Sequence, residues 1–321
     1  MTSKPVELGH AVRASPVEAA AIAAPAMLRP LGRGAEMGRL LRAYLTLTKP
    51  GIIWLLLVTT VPAMVMAGDG WPSIDLVLLT LVGGMLTAGG ANAINQWFDR
   101  DIDTIMRRTR QRPLPQGQIA PASALLFGVA LAAVGGVQLG LTVNPLSAAL
   151  AEAAVLFYVF VYTIWLKRWT PQNIVIGGAA GAVPPLVGWT AVRGSLDLAP
   201  ALLFLIVFLW TPPHFWALAL RYKDDYARAG VPMLPVVRGE EATKRQIVWY
   251  SVALALGTLP LFFVGGAGWL YLGAALVLGA AFIAQAVRVW RGSIAPMALF
   301  FFSIVYLPLL FLAAGADALL F

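Results

Sequence analysis

Asn95, Asp99 and Asp103 stand four residues apart in the run NQWFDRDIDTIMRRTRQRPLPQG, residues 95–117, which begins as the end of an apolar segment. On a helix these positions fall at i, i+4 and i+8, so their oxygens form one stripe over about 12 Å of axis. Asp101 points elsewhere. Five arginines, Arg100, Arg107, Arg108, Arg110 and Arg112, share the run. An oxygen-only stripe followed by guanidinium groups suits a diphosphate held through Mg2+, because Mg2+ takes one or two carboxylates plus phosphate oxygens and keeps its waters. The arginines could bind phosphate directly. A solvated helix end whose opposite charges pair locally is the plainer account of such a run, and its location decides between the two.

A second polar cluster, Arg221-Tyr222-Lys223-Asp224-Asp225-Tyr226, follows Trp210-Thr211-Pro212-Pro213-His214-Phe215-Trp216. Two acidic clusters on one face could hold two metals bridging one diphosphate, although ordinary charge beside a membrane span explains the second cluster equally well. His214 is one of two histidines, the other being His10. Beside two prolines it could contact an acceptor, shuttle a proton or ligate haem iron. It could equally be a structural partner of a backbone carbonyl freed by Pro212 and Pro213. Glu152 lies within an apolar segment, too far from the acidic clusters to serve a diphosphate, and reads as a buried protonated or paired group.

Composition sets the location. The 321 residues are 60% hydrophobic and 12% charged, with a mean hydropathy of +0.79, which marks an integral membrane protein. Cysteine is absent, so disulfides, thiolate metal sites and cysteine nucleophiles are excluded. The net charge of +8 reports topology in so apolar a chain, and no nucleic-acid-binding module is visible.

Nine apolar segments are long enough for spanning helices: roughly 51–67, 76–98, 122–141, 145–165, 174–192, 198–220, 247–264, 268–287 and 294–315. Barrel strands would be about half that length and alternate in polarity. The expected fold is therefore all-α, a polytopic nine-helix membrane bundle over 44–321, with 1–43 as a flexible cytoplasmic tail. On this count 22 of the 23 Lys and Arg residues fall on the side of the N-terminus and Arg193 alone lies opposite, which makes the N-terminal side cytoplasmic. The two longest internal loops, about 99–121 and 221–246, both lie on that face and carry the acidic clusters. Each runs into a proline turn and a glycine, Gly117 and Gly239, which hints at two four-helix halves plus a ninth helix. Gly83, Gly84, Gly89 and Gly90, with Gly177, Gly178 and Gly181, permit close helix contact.

A charged site over an apolar bundle fits an allylic prenyl diphosphate, with its ionic head and hydrocarbon tail. Ionisation of its C–O bond needs a metal and cations at the departing diphosphate, and the carbocation needs a dry cavity with aromatic faces. Tyr162, Trp165, Trp210, Phe215 and Trp216 are available.

The Asn95-x-x-x-Asp99-x-x-x-Asp103 pattern resembles the first aspartate-rich motif of the UbiA-type intramembrane prenyltransferases. The run TPPHFWALALRYKDDYARAGVPMLPVV at 211–237, with LTKPGI at 47–52, is similar to the haem farnesyltransferase branch of that family, and the similarity extends over about 44–315. The resemblance implies Mg2+-dependent transfer of a farnesyl group from farnesyl diphosphate to a vinyl group of haem b. It implies that Asn95, Asp99 and Asp103 serve Mg2+ and diphosphate, with Arg107, Arg108, Arg110 and Lys223 as cationic partners. The expected site is completed by His214 as a further catalytic residue, Asp224 and Asp225 as metal ligands beside Asp99 and Asp103, and Lys49 and Arg221 as further cations that bind substrate. The family's second motif is usually Asp-x-x-x-Asp, whereas Asp224 and Asp225 are adjacent and Arg221 stands where an earlier aspartate would be. Partners implied are the lipid bilayer and a haem-modifying or oxidase-assembly protein, with a bacterial inner membrane favoured over a mitochondrial one. The alternatives are a quinone-precursor prenyltransferase of the same architecture and a cation-coupled transporter.

Overall fold

The computed structural model describes residues 33–68 and 70–320, without the side chains of 33, 52 and 54–57. The tail expected over 1–43 lies largely outside the described residues. Its last part is the start of helix α1, Arg33–Thr48, and the contacts of the chain divide it within that helix, between Leu41 and Arg42.

Beyond that division every described element is helical. α2 (Pro50–Ala67), α3 (Ile74–Phe98), α4 (Arg100–Ile105) and α5 (Pro121–Thr142) lead to α6 (Pro145–Leu156), which continues as a π-helix over Phe157–Trp165 and a short 3-10 turn over Leu166–Arg168. α7 (Asn173–Gly181), α8 (Pro184–Arg193) and α9 (Leu198–Arg221) follow, then the short α10 (Lys223–Arg228) and α11 (Leu234–Val237). α12 (Gly239–Thr258), α13 (Pro260–Val264), α14 (Trp269–Trp290) and α15 (Pro296–Leu320) complete the chain. Among the described residues eight helical stretches, from α3 onward, are long and apolar enough to cross a membrane, with α6 to Arg168, α7–α8 and α12–α13 each forming one stretch. They match the second to ninth expected segments. The first, 51–67, falls in α2, whose part Val58–Ala67 is an apolar helix too short to count alone. The protein is a multi-pass membrane protein.

Prolines at the first turn of α2, α5, α6 and α8 start these helices where the missing N–H has no helical partner in any case. Consecutive spans pack on one another and α15 packs back on α2, around a core that includes Trp216, Tyr271, Phe282, Tyr306 and Phe311. α3 and α5 meet backbone to backbone: a Cβ on Gly90 would stand 2.5 Å from the Gly128 carbonyl oxygen, while one on Gly84 would meet nothing within 4 Å. Gly117 and Gly239, at φ +66° and +78°, take the left-handed turns that end the two polar loops. Ile102 and Met106 from the first loop pack with Tyr226, Val231 and Met233 from the second, so the chain does bring both loops together.

The opposite face is closed by capping. Arg193 donates from Nε to the Ala67 carbonyl at the end of α2, 2.5 Å away. Buried Asp317 accepts from the backbone N–H groups of Gly268, Leu270 and Tyr271, which open α14. Asp317→Ala removes the buried acceptor of three backbone donors and is expected to cost about 2 kcal/mol, seen as a lower thermal unfolding midpoint in detergent. Asp317→Asn, which keeps one oxygen, should lose less; an unchanged midpoint for both would contradict the cap.

Candidate active site

α3 ends at Phe98 and α4 begins at Arg100, yet the stripe survives the interruption. Asp99 N–H donates to the Asn95 carbonyl and Asp103 N–H to the Asp99 carbonyl, each at 2.9 Å, so the i to i+4 register runs through. Asn95, Asp99 and Asp103 are all buried, at 2%, 0% and 2% exposure. Asn95 Nδ2 donates to Asp99 Oδ2 at 2.8 Å and to Thr163 Oγ1 at 3.1 Å. Asp101 is exposed and turned away: the Arg168 guanidinium forks onto both its oxygens at 2.7 Å. Those bonds hold its carboxyl below the usual carboxylate range.

Each stripe residue meets a cation. Lys49 Nζ donates to Asn95 Oδ1 at 2.8 Å, Lys167 Nζ pairs with Asp99 Oδ2, and Arg112 Nη1 pairs with Asp103 Oδ2 at 2.7 Å. Arg168 Nη2 stands 3.8 Å from Asp99 Oδ1, an oxygen that is buried and accepts no hydrogen bond. A carboxylate oxygen so placed, with Asp103 and Asn95 one turn on either side, fits the donor set of Mg2+, a hard cation that fills its remaining positions with phosphate oxygens and water. Among the described residues no three Asp, Glu, His or Cys side chains form a metal-holding group by themselves, so any such ion needs oxygens from a ligand.

Lys49 owes its aim to backbone geometry. It joins α1 to α2 in the left-handed conformation, φ 54° and ψ 61°, a strained state for a residue with a Cβ. Asn92 and Gln96, one helical turn apart on another face of α3, hold this junction by donating to the carbonyls of Thr48 and Leu47 at 3.0 and 2.9 Å. These carbonyls at the end of α1 have no helical donors of their own. Burial keeps the Lys49 ammonium well below the ordinary lysine range; the nearby charges of Arg112 and Lys167 push the same way and Asp99 and Asp103 oppose them. A cleft of about 430 Å³, lined by Arg42, Lys49 and Arg112 among others, opens beside the stripe.

Other expected site residues lie differently. Asp225 is buried and ion-paired with Arg228, three residues on, whereas Asp224 is exposed, so the two are not aimed at one point. Lys223 pairs with Glu240 at 3.2 Å. Arg221 is exposed and lies 6.0 Å from the Tyr222 ring. Arg108 reaches the second loop, with Nη2 3.4 Å from the Tyr226 hydroxyl, while Arg107 and Arg110 are exposed. His214 is stacked between Trp210 and Phe300, with ring centroids 4.3 and 4.6 Å away. Its Nδ1 lies 2.6 Å from Ser303 Oγ, and the Ser303 hydroxyl itself donates to the Phe300 carbonyl. Nδ1 therefore carries the hydrogen and Nε2 keeps its lone pair. The partner is a serine of α15, not a carbonyl freed by the prolines, and no stripe residue touches it.

Of the five aromatics, Trp210 and Trp216 belong to the core, Trp165 is 60% exposed, and Phe215 packs between the polar loops. Tyr162 reaches the site: it stacks on Tyr158 at 5.2 Å and lies under Lys167 Nζ at 5.9 Å. Glu152 is half-buried against Gly136, with one oxygen lacking a hydrogen bond. Arg112 pairs within the run, as local pairing of its opposite charges would have it, whereas the sequence offered no sign of Lys167 and Arg168 as stripe partners beyond their charge.

Comparison with known proteins agrees with this architecture. Two relatives, from Symbiobacterium thermophilum and Streptomyces avermitilis, are 53% and 50% identical to the chain. Each alignment covers 88% of this chain, and 96% and 95% of the relatives; both are named protoheme IX farnesyltransferase. Solved structures share the fold. A study of digeranylgeranylglyceryl phosphate synthase supplies one, with a TM-score of 0.71 at 20% identity over 88% of this chain and 99% of the other. A UbiA homologue from Archaeoglobus fulgidus bound to DMAPP and Mg2+ gives 0.65 at 18% identity over 86% and 98%. Residues 56–315 match the description UbiA prenyltransferase family, and with four-fifths of its length covered the chain belongs to that family.

Proposed function

We propose that this chain transfers a farnesyl group from farnesyl diphosphate to a vinyl group of haem b, giving the hydroxyethylfarnesyl side chain of haem O. The observation that carries the acceptor and donor is the identity of about half over nearly the whole chain to relatives of that name. The site supports the reaction class, since buried oxygen ligands ringed by Lys49, Lys167, Arg112 and Arg168 stand at the end of an apolar bundle.

A divalent metal bound by Asp99, Asp103 and Asn95 would supply charge to the diphosphate oxygens. The chain's own residues do the rest. Lys167, Arg112 and Arg168 meet the diphosphate as the allylic C–O bond breaks and the leaving group takes the electron pair. The Tyr158 and Tyr162 faces line the dry side, where the allylic cation forms its new C–C bond to the terminal vinyl carbon. Water then adds to the cation left on the macrocycle side and gives up a proton. Residues 33–320 would carry this activity from the cytoplasmic face of a bacterial inner membrane, the side on which the basic loops collect.

Purified protein with haem b, farnesyl diphosphate and Mg2+ tests the proposal. Haem O detected by mass is the expected product, and prenylation of a phenolic acid instead of haem would replace the reading with the quinone-precursor one.

A further inference from the structure

The stripe that suits a metal is already occupied by the chain's own cations. Asn95 Oδ1 accepts from Lys49, Asp99 Oδ2 from Lys167 and Asp103 Oδ2 from Arg112, while Arg168 holds Asp101. The carboxylates cannot move to escape these partners, because the Asp99 and Asp103 side chains are 0% and 3% exposed within the helical register. The cations can: Lys167 and Arg112 are 17% and 21% exposed and sit on long stems. Asp99 Oδ1 accepts no hydrogen bond, so Mg2+ arriving alone would meet that oxygen among the positive charges of Lys167, Arg112 and Arg168, and to take Asp99 Oδ2 or Asp103 Oδ2 as well it would have to displace an ammonium or guanidinium and leave it half-buried without a counterion. A diphosphate changes the balance, since it offers the displaced cations new acceptors and brings the negative charge that the neutralised stripe lacks.

Resting on the diphosphate reading above, we infer that the site binds its two ligands in a fixed order. The diphosphate binds without metal by drawing Lys167 and Arg112 off Asp99 and Asp103, and Mg2+ enters only onto the carboxylates so released. Lys167 and Arg112 are thus latches on the metal site as well as phosphate binders, which makes the acidic stripe silent to free Mg2+.

Calorimetry on the purified full chain in detergent tests this order, using inorganic pyrophosphate alone, MgCl2 alone, and MgCl2 added to the pyrophosphate-loaded protein, with the Mg–pyrophosphate equilibrium in solution subtracted. Expected are saturable binding of pyrophosphate alone and Mg2+ binding at least about tenfold tighter to the loaded than to the free protein. In Lys167→Met, which frees Asp99, Mg2+ alone should bind at least about tenfold tighter than to the unaltered protein, and pyrophosphate more weakly. Equal Mg2+ affinity with and without pyrophosphate would overturn the order while leaving the diphosphate site standing. Failure of pyrophosphate and of its Mg2+ complex to bind would overturn the site reading itself, and with it this inference. A Lys167→Met protein that folds, by its unfolding midpoint, but gains no Mg2+ affinity would remove Lys167 from the latch; Lys167→Gln provides the same comparison should the methionine variant not fold.

Discussion

Asp99→Asn and Asp103→Asn each lower prenyl transfer by about a hundredfold or more, since each replaces a charged metal ligand at the point where negative charge develops on the leaving diphosphate. The substitutions are nearly isosteric, so a packing defect does not explain the loss. Asp99→Asn also leaves the Lys167 ammonium without its carboxylate, so a lower unfolding midpoint accompanies the lower rate. Asp103→Asn acts on Arg112, which is more exposed, and the midpoint moves less. Asp101→Asn is the control. It breaks the Arg168 fork at an exposed carboxylate, away from the stripe, and turnover should fall only about a few-fold. Single-turnover product formation read by mass, with the midpoint measured alongside, separates these effects. Turnover near normal in both stripe variants would withdraw the site.

The stripe was legible in the sequence because its geometry is local. Four-residue spacing survives even the break at Asp99, where hydrogen bonds carry the register from α3 into α4. The spans were legible for the same reason, since hydrophobic length needs no knowledge of neighbours. The partners of the stripe were not. Lys167 stands 68 residues from Asp99 and enters a sequence reading only as a mark of sidedness. The π-helix at Phe157–Trp165, which sets Thr163 against Asn95 and Tyr162 beneath Lys167, departs from the 3.6-residue period on which such a reading relies. The second cluster was less legible: family likeness implied Asp224 and Asp225 as metal ligands although their adjacency departs from the family's spacing, and successive residues of a short helix face different ways, so one is exposed while the other is tied to Arg228. Lys49 was legible only through family likeness, because its aim depends on a left-handed backbone that a lysine rarely adopts.

The second large effect is expected far from any charge. Gly90→Val places a branched side chain where even a Cβ would stand 2.5 Å from the Gly128 carbonyl oxygen and 2.6 Å from the Ala132 backbone nitrogen. Neither atom belongs to a side chain that can turn aside, so α3 and α5 must separate along a contact that small residues make close. Overpacking of this kind costs about 1–3 kcal/mol and sometimes more, and the unfolding midpoint should drop clearly below that of the unaltered protein. The displacement also reaches the chemistry. α3 carries Asn95 five residues beyond Gly90, Asp99 at its end, and the Asn92 and Gln96 side chains that hold the Lys49 junction. Turnover should therefore fall even at temperatures where the variant remains folded, with weakened pyrophosphate binding. Gly84→Val on the same helix has open space around its Cβ position and should leave midpoint, binding and turnover close to those of the unaltered protein. Equal behaviour of the two variants would show that the α3–α5 contact does not position the stripe.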